Sequence, residues 1–191
     1  MIKSFENALL RHQQTFEQVA GLAPEVLRLA EAVLDCLQAG GKVLWMGNGG
    51  SAADSQHLAA EFMVRYKADR RPLPSIALTT DSSILTAHTN DYEFDTLFAR
   101  QIEGLARPGD LVIGISTSGN SGNIIKAIEQ SNAMGLTSAT LLGRDGGKLK
   151  DLADISVVVP SDETARIQEA HIFIGHWLCE VIDAQLADAN D

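Results

Sequence analysis

The sequence predicts an α/β fold: a three-layer sandwich built on a parallel sheet of five strands, with two helices ahead of the first strand. Three observations support this. Short apolar runs alternate with helix-length segments from residue 42 onward, the pattern of a parallel sheet covered on both faces. Two Gly/Ser/Thr turns, GNGGS (Gly47 to Ser51) and STSGNS (Ser116 to Ser121), each follow such a run and open a helix. The first 38 residues carry helical, not strand, periodicity.

The elements follow in order. Phe5, Leu9, Phe16 and Val19 fall close to helical spacing over residues 3 to 20. Val26, Leu29, Val33 and Leu37 repeat the pattern, with Pro24 suited to a first turn and Gly40-Gly41 ending the helix. These two helices must bury a face against the domain or another subunit. KVLWM is the first strand, followed by GNGGS and a helix to about Arg65. SIALTT is the second strand. A short helical stretch, a loop at Thr89-Asn90-Asp91 and a helix from Glu93 to Leu105 come next. DLVIGIS, TSATLLG and DISVVV are the remaining strands, and the last helix runs from about Glu163 to Leu186. No internal repeat, low-complexity tract or linker interrupts the chain, so all 191 residues are expected to form one domain.

Composition narrows the function. Apolar residues make up 45% and charged residues 21%, ordinary for a soluble globular protein. A net charge of -10 without a basic run argues against nucleic acid and anionic membranes as partners. No apolar run approaches the roughly 20 residues that span a bilayer, and the N-terminus lacks a signal-peptide core, so a cytoplasmic location is expected. Cys36 and Cys179 fall within helices and read as reduced, buried thiols.

Each Gly/Ser turn lies at a strand C-terminus, where ligands of parallel sheets bind. STSGNS offers hydroxyls at Ser116, Thr117, Ser118 and Ser121 but no Lys or Arg. Neutral donors and the dipole of the following helix would hold a phosphate there; the plainer reading is a helix cap. GNGGSA also fits a dinucleotide fingerprint through Gly47, Gly49 and Ala52. The acidic residue ending the next strand, Asp81, comes roughly ten positions too late for that role.

The helix after GNGGS carries His57 and Glu61 at i and i+4, about 40° apart around the axis. The last helix carries Gln168 and His176, about 80° apart, with His171 turned away and read as structural. His57, Glu61 and His176 are the residue types used for proton transfer or for binding a divalent metal. A surface His/Glu pair and a core histidine in IFIGHWLC are the bland alternatives. Only a shared pocket raises the set above them.

GNGGSAADSQHLAAE, HTNDYEFD, GDLVIGISTSGNS, GRDGGK and TARIQEAHIFIGH together resemble the phosphoheptose isomerase family of the sugar isomerase (SIS) domain group, over residues 5 to 186. The resemblance implies a flavodoxin-like sheet and conversion of D-sedoheptulose 7-phosphate to D-glycero-D-manno-heptose 7-phosphate. It implies a cytoplasmic homotetramer with active sites at subunit interfaces, one zinc ion per subunit, and a place early in heptose synthesis for lipopolysaccharide core. Carried across, the substrate residues are Asn48, Gly49, Gly50, Ser51, Glu61, Asn90, Asp91, Ser116, Thr117, Ser118, Ser121 and Gln168. The zinc ligands are His57, Glu61, Gln168 and His176, and Glu61 and His176 are the catalytic pair. Two rival readings are a non-catalytic SIS protein that binds a partner such as the replication initiator, and an isomerase of another phosphosugar. Relatives of the first kind lack counterparts of Glu61 and His176.

Overall fold

The computed structural model describes residues 1–186. Two helices, α1 (Ile2–Val19) and α2 (Ala23–Gln38), lead into β1 (Val43–Gly47) and α3 (Gly50–Met63). β2 (Ser75–Ala77), α4 (Ser82–Asp91) and α5 (Leu97–Leu105) follow, then β3 (Leu111–Ser116) and α6 (Gly122–Ala133). β4 (Thr137–Gly143), β5 (Ile155–Val159) and α7 (Thr164–Leu186) complete the described chain. The five strands lie in the order β2-β1-β3-β4-β5, and every pairing is parallel. The order reverses between β1 and β3. That switch point is where open parallel sheets leave a crevice, and the two Gly/Ser turns leave from these two strands.

Alternation along the strands separates the two cores. Val43 and Trp45 of β1 join Leu111, Ile113 and Ile115 of β3 beneath α2, α3 and α7. Leu44, Met46 and Val112 face the other way, onto α5 and α6. Helices therefore cover both faces, as continuous apolar strands require. The first two helices differ from the rest. α2 buries Leu29, Ala30, Val33, Cys36 and Leu37, whereas α1 buries only Thr15 and Val19. Phe5 and Leu9, on the apolar stripe of α1, are exposed.

One sequence expectation needs correcting. Thr89-Asn90-Asp91 is not a loop but the last turn of α4. Asp81 caps that helix by accepting the amides of Ser83 and Ile84 at 2.9 and 3.0 Å. Thr86 and Thr89 then fold their hydroxyls back onto Ser82 and Leu85 carbonyls at 2.7 and 2.8 Å. The Asp81 cap outweighs the weak helix propensity of Thr, Asn and Asp, and the back-bonded hydroxyls are satisfied within the helix. β2 is also shorter than SIALTT, ending at Ala77.

Cys36 and Cys179 are free and buried. Burial pushes their thiols up to about 11 and about 12, so they are poor nucleophiles at neutral pH. His171 is wholly buried, and its Nε2 lies 2.8 Å from the Leu142 carbonyl. Burial lowers its pKa from 6.5 to about 4. Above 6.5 the group is neutral in both folded and unfolded chains. Between 6.5 and about 4 only the unfolded chain takes the proton, so stability falls as the pH drops through that window. Urea unfolding should show a loss of about 3 kcal/mol from this group across the window. His171→Gln should flatten the profile, and an unchanged slope would contradict this account.

Candidate active site

The two turns are joined at their bases. Asn48, after β1, and Asn123, in the first turn of α6, exchange side-chain hydrogen bonds at 2.9 and 2.8 Å. Asn123 is buried, so this reciprocal amide pair fixes the spacing between the GNGGS and STSGNS turns. Ser116 and Ser121 hydroxyls lie 2.9 Å apart across the second turn. Ser118 Oγ accepts the Asn120 amide at 3.2 Å. The turn is braced from behind by the GRDGGK segment. Lys148 N–H donates to Asn120 Oδ1 at 3.2 Å, and Leu149 N–H donates to the Gly119 carbonyl at 3.1 Å.

Ser121 occupies the N-cap of α6 but makes no side-chain cap bond. The amides of Ile124 and Ile125 turn to its carbonyl. Among the described residues, the Gly122 and Asn123 amides make no hydrogen bond, although the Asp95 carboxylate lies against Gly122, where a Cβ would stand 2.6 Å from both its oxygens. Helix N-termini that keep free amides favour an anion, and the flanking hydroxyls of Thr117 and Ser118 are half-buried at the same turn. The capping role that would have explained the hydroxyls is therefore absent.

The second half of the site forms where α3 crosses α7. Leu58 and Phe62 of α3 face the core, turning His57 and Glu61 toward α7 and solvent. Gly175 of α7 sits against Leu58 so closely that a Cβ there would lie 2.6 Å from both Leu58 methyls. This approach brings His176 Nε2 to 3.0 Å from His57 Nε2, with Glu61 Oε1 3.3 Å from the same His57 nitrogen. Tyr66 stacks on the other side of His176, ring centroids 5.7 Å apart. One turn ahead of His57, Asp54 keeps a buried carboxylate oxygen without a partner. Burial raises the Asp54 carboxyl, and the nearby His57 opposes that rise.

Other expected residues lie apart from this trio. Gln168 packs its amide against Gly50, which has no room for a Cβ; eight residues, or about 12 Å of helix rise, separate it from His176. Ser51 is buried behind the first turn. Asn90 and Asp91 bond to one another at 2.7 Å on the exposed end of α4. Among the described residues they make no side-chain hydrogen bond to either turn or to the trio.

The donor set also bears on a metal. Among the described residues, no group of three or more His, Cys, Asp or Glu is closed enough to hold an ion. The chemistry of the open set fits all the same. One imidazole nitrogen, of His176, and one carboxylate oxygen, of Glu61, lie within 3.3 Å of His57 Nε2. Ligand atoms around tetrahedral zinc stand roughly 3.3 Å apart, given bonds of about 2.0 Å.

A SIS domain matches residues 8–143. The phosphoheptose isomerase of Aliarcobacter butzleri is 52% identical over 98% of this chain and 97% of its own length. That of Geotalea daltonii is 50% identical over 97% of both. This chain belongs to the phosphoheptose isomerase family. The solved phosphoheptose isomerases of Neisseria gonorrhoeae and Francisella tularensis superpose with TM-scores of 0.89 and 0.93, at 40% and 37% identity. Each comparison covers 96% of this chain and 100% or 98% of the other. As a phosphoheptose isomerase the chain is an enzyme, with the parallel sheet and N-terminal helices that family membership implied.

Asn123, Tyr66 and Gly175 were not among the residues singled out in the sequence. Asn123 had a signal, since it closes the run SGNSGN; the others had none. Gly175→Ala should force α7 away from Leu58 at a cost of about 1–3 kcal/mol. Isomerase turnover in the folded variant should fall at least tenfold, and unchanged turnover would show that the crossing does not set the site.

Proposed function

We propose that this isomerase converts D-sedoheptulose 7-phosphate to D-glycero-D-manno-heptose 7-phosphate through an enediol, as the first step toward ADP- or GDP-heptose. The observation that carries the reading is the meeting of Glu61 and His57 with His176, 119 residues away, at the α3–α7 crossing. In this mechanism Glu61 takes the C1 proton and returns it to C2, while His176 moves the hydroxyl proton from O1 to O2. The carbonyl thereby passes from C2 to C1 with no net change in protons. Proton transfer by a positioned side chain needs hydrogen-bond reach, and this trio offers a carboxylate and an imidazole on one wall.

The phosphate end is assigned to the free amides of Gly122 and Asn123 and the hydroxyls of Ser116, Thr117, Ser118 and Ser121. Anchoring the distant end supplies binding energy that orients the reacting carbons. Asn48, Gly49, Gly50, Ser51, Gln168, Asn90 and Asp91 are assigned to the sugar. His57, Glu61 and His176 are the near donors for one zinc ion per chain, and Gln168, whose amide rests on Gly50, would have to turn down α7 to supply the fourth. Bound there, zinc would polarise the substrate carbonyl.

We further infer that the whole chain works as one SIS domain in a cytoplasmic homotetramer. Support comes from the exposed Ile2, Phe5, Leu9 and Leu10 on α1 and from an apolar recess of about 360 Å³ between α1, α2 and α7. Phe16, Val26, Phe173 and Trp177 line it. Asn90 and Asp91, on the exposed end of α4, are assigned to the site of another chain in that assembly. Among the described residues, no helix is long and apolar enough to cross a membrane.

Glu61→Gln should lower turnover of sedoheptulose 7-phosphate at least about 100-fold with the fold intact. Chelation should lower wild-type turnover, and added zinc should restore it. Near-normal activity in the variant removes Glu61 as the base; indifference to chelator removes the metal. Light scattering should give the mass of four chains, and Phe5→Glu with Leu9→Glu should reduce it; a monomeric wild type would refute the assembly.

A further inference from the structure

The segment after α3 folds back across α7 before it reaches β2. Its amides at Lys67 and Ala68 both donate to Asp183 Oδ2, at 2.7 and 3.0 Å. Arg70 Nε donates to the other carboxylate oxygen at 2.7 Å. The two side chains are only 1% and 4% exposed. Burial opposes ionisation of Asp183, but these backbone amides and the guanidinium outweigh it and hold its carboxyl below the usual range.

The remaining guanidinium nitrogens reach the other helix, Nη1 also donating to the Arg71 carbonyl at 3.1 Å. Arg70 Nη2 donates to the Glu61 carbonyl at 2.9 Å, and Nη1 donates to the Phe62 carbonyl at 2.9 Å. These carbonyls belong to the last turn of α3, where helix C-termini lack internal partners and favour a cation. One planar guanidinium therefore grips α3 by the backbone of Glu61 itself and α7 by Asp183. A lysine, with all its donors on one nitrogen, could not reproduce the planar fork that spans these acceptors.

The placement matters more than the charge. Buried ion pairs are a poor source of net stability, because desolvation offsets their attraction. Asp183 lies seven residues beyond His176, about 10 Å further along α7. The Gly175–Leu58 contact ties the helices on one side of the trio, and Arg70 ties them on the other. Both ties oppose sliding and rotation of α3 against α7. The strap between them also carries Tyr66 onto His176.

We propose that the Arg70–Asp183 ion pair is a positioning device for the reaction, setting the height and rotation of His57 and Glu61 against His176 without touching substrate. The proposal rests on the reaction assigned above. Its test is the double substitution Arg70→Met with Asp183→Leu, which removes both buried charges together and so spares the fold an unpaired ion. The folded variant should lose at least tenfold in kcat for sedoheptulose 7-phosphate, with KM within about twofold, because the phosphate turn lies on α6. The nuclear Overhauser contact between the His57 and His176 rings should weaken. Arg70→Lys should give a partial loss of the same kind, and it carries the test if the double variant does not fold. A folded variant with wild-type kcat and an intact ring contact would overturn the proposal, as would a loss confined to KM. An inactive wild type would refute the assigned reaction instead, and the ring contact would then decide the positioning role alone.

Discussion

The site depends on one close helix crossing. α3 and α7 are joined to different strands and share no local sequence, yet their facing sides must approach within reach of two short polar side chains. The absence of a side chain at Gly175 permits that approach, and Leu58 fills the space. The methyl-to-backbone contact is ordinary packing, but its consequence is chemical. It determines that two imidazoles and a carboxylate stand together, not as three solvated side chains on separate helices.

A second constraint acts at the other end of the ligand. The chain is acidic overall, with a net charge of -10, yet its ligand carries a phosphate. The response proposed at STSGNS and the start of α6 is neutral: hydroxyls, helix amides and the dipole of α6. Ser121 occupies a capping position without capping, bonding to Ser116 instead, and this leaves the amides for an anion. Asn48 and Asn123 lock this turn to its neighbour. The two turns thus behave as one rigid rim over the switch point in strand order, while proton transfer is assigned to the helix crossing.

Much of this was legible in the chain. The apolar runs placed all five strands, and the Gly/Ser turns placed two helix starts at the switch in strand order, because strand periodicity and helix-start chemistry are local properties. His57 and Glu61 were legible as a pair for the same reason. Thr89-Asn90-Asp91 was misread, since propensity pointed to a loop while the Asp81 cap started a helix that runs through them. The exposed stripe on α1 was visible as periodicity, but its outward direction was not. Gln168 was recognisable, yet its seat on Gly50 depends on where α7 begins relative to the first turn.

The sequence by itself determined the sheet, its covering helices, the phosphate-type turns and the residue types able to move a proton. Only the tertiary structure decided that His176 meets His57, that Asn123 ties the two turns, and that Arg70 and Asp183 clamp α3 to α7. The reason is physical: periodicity and capping act over a few residues, whereas these meetings span 75 to 119 residues and depend on how two covered faces pack.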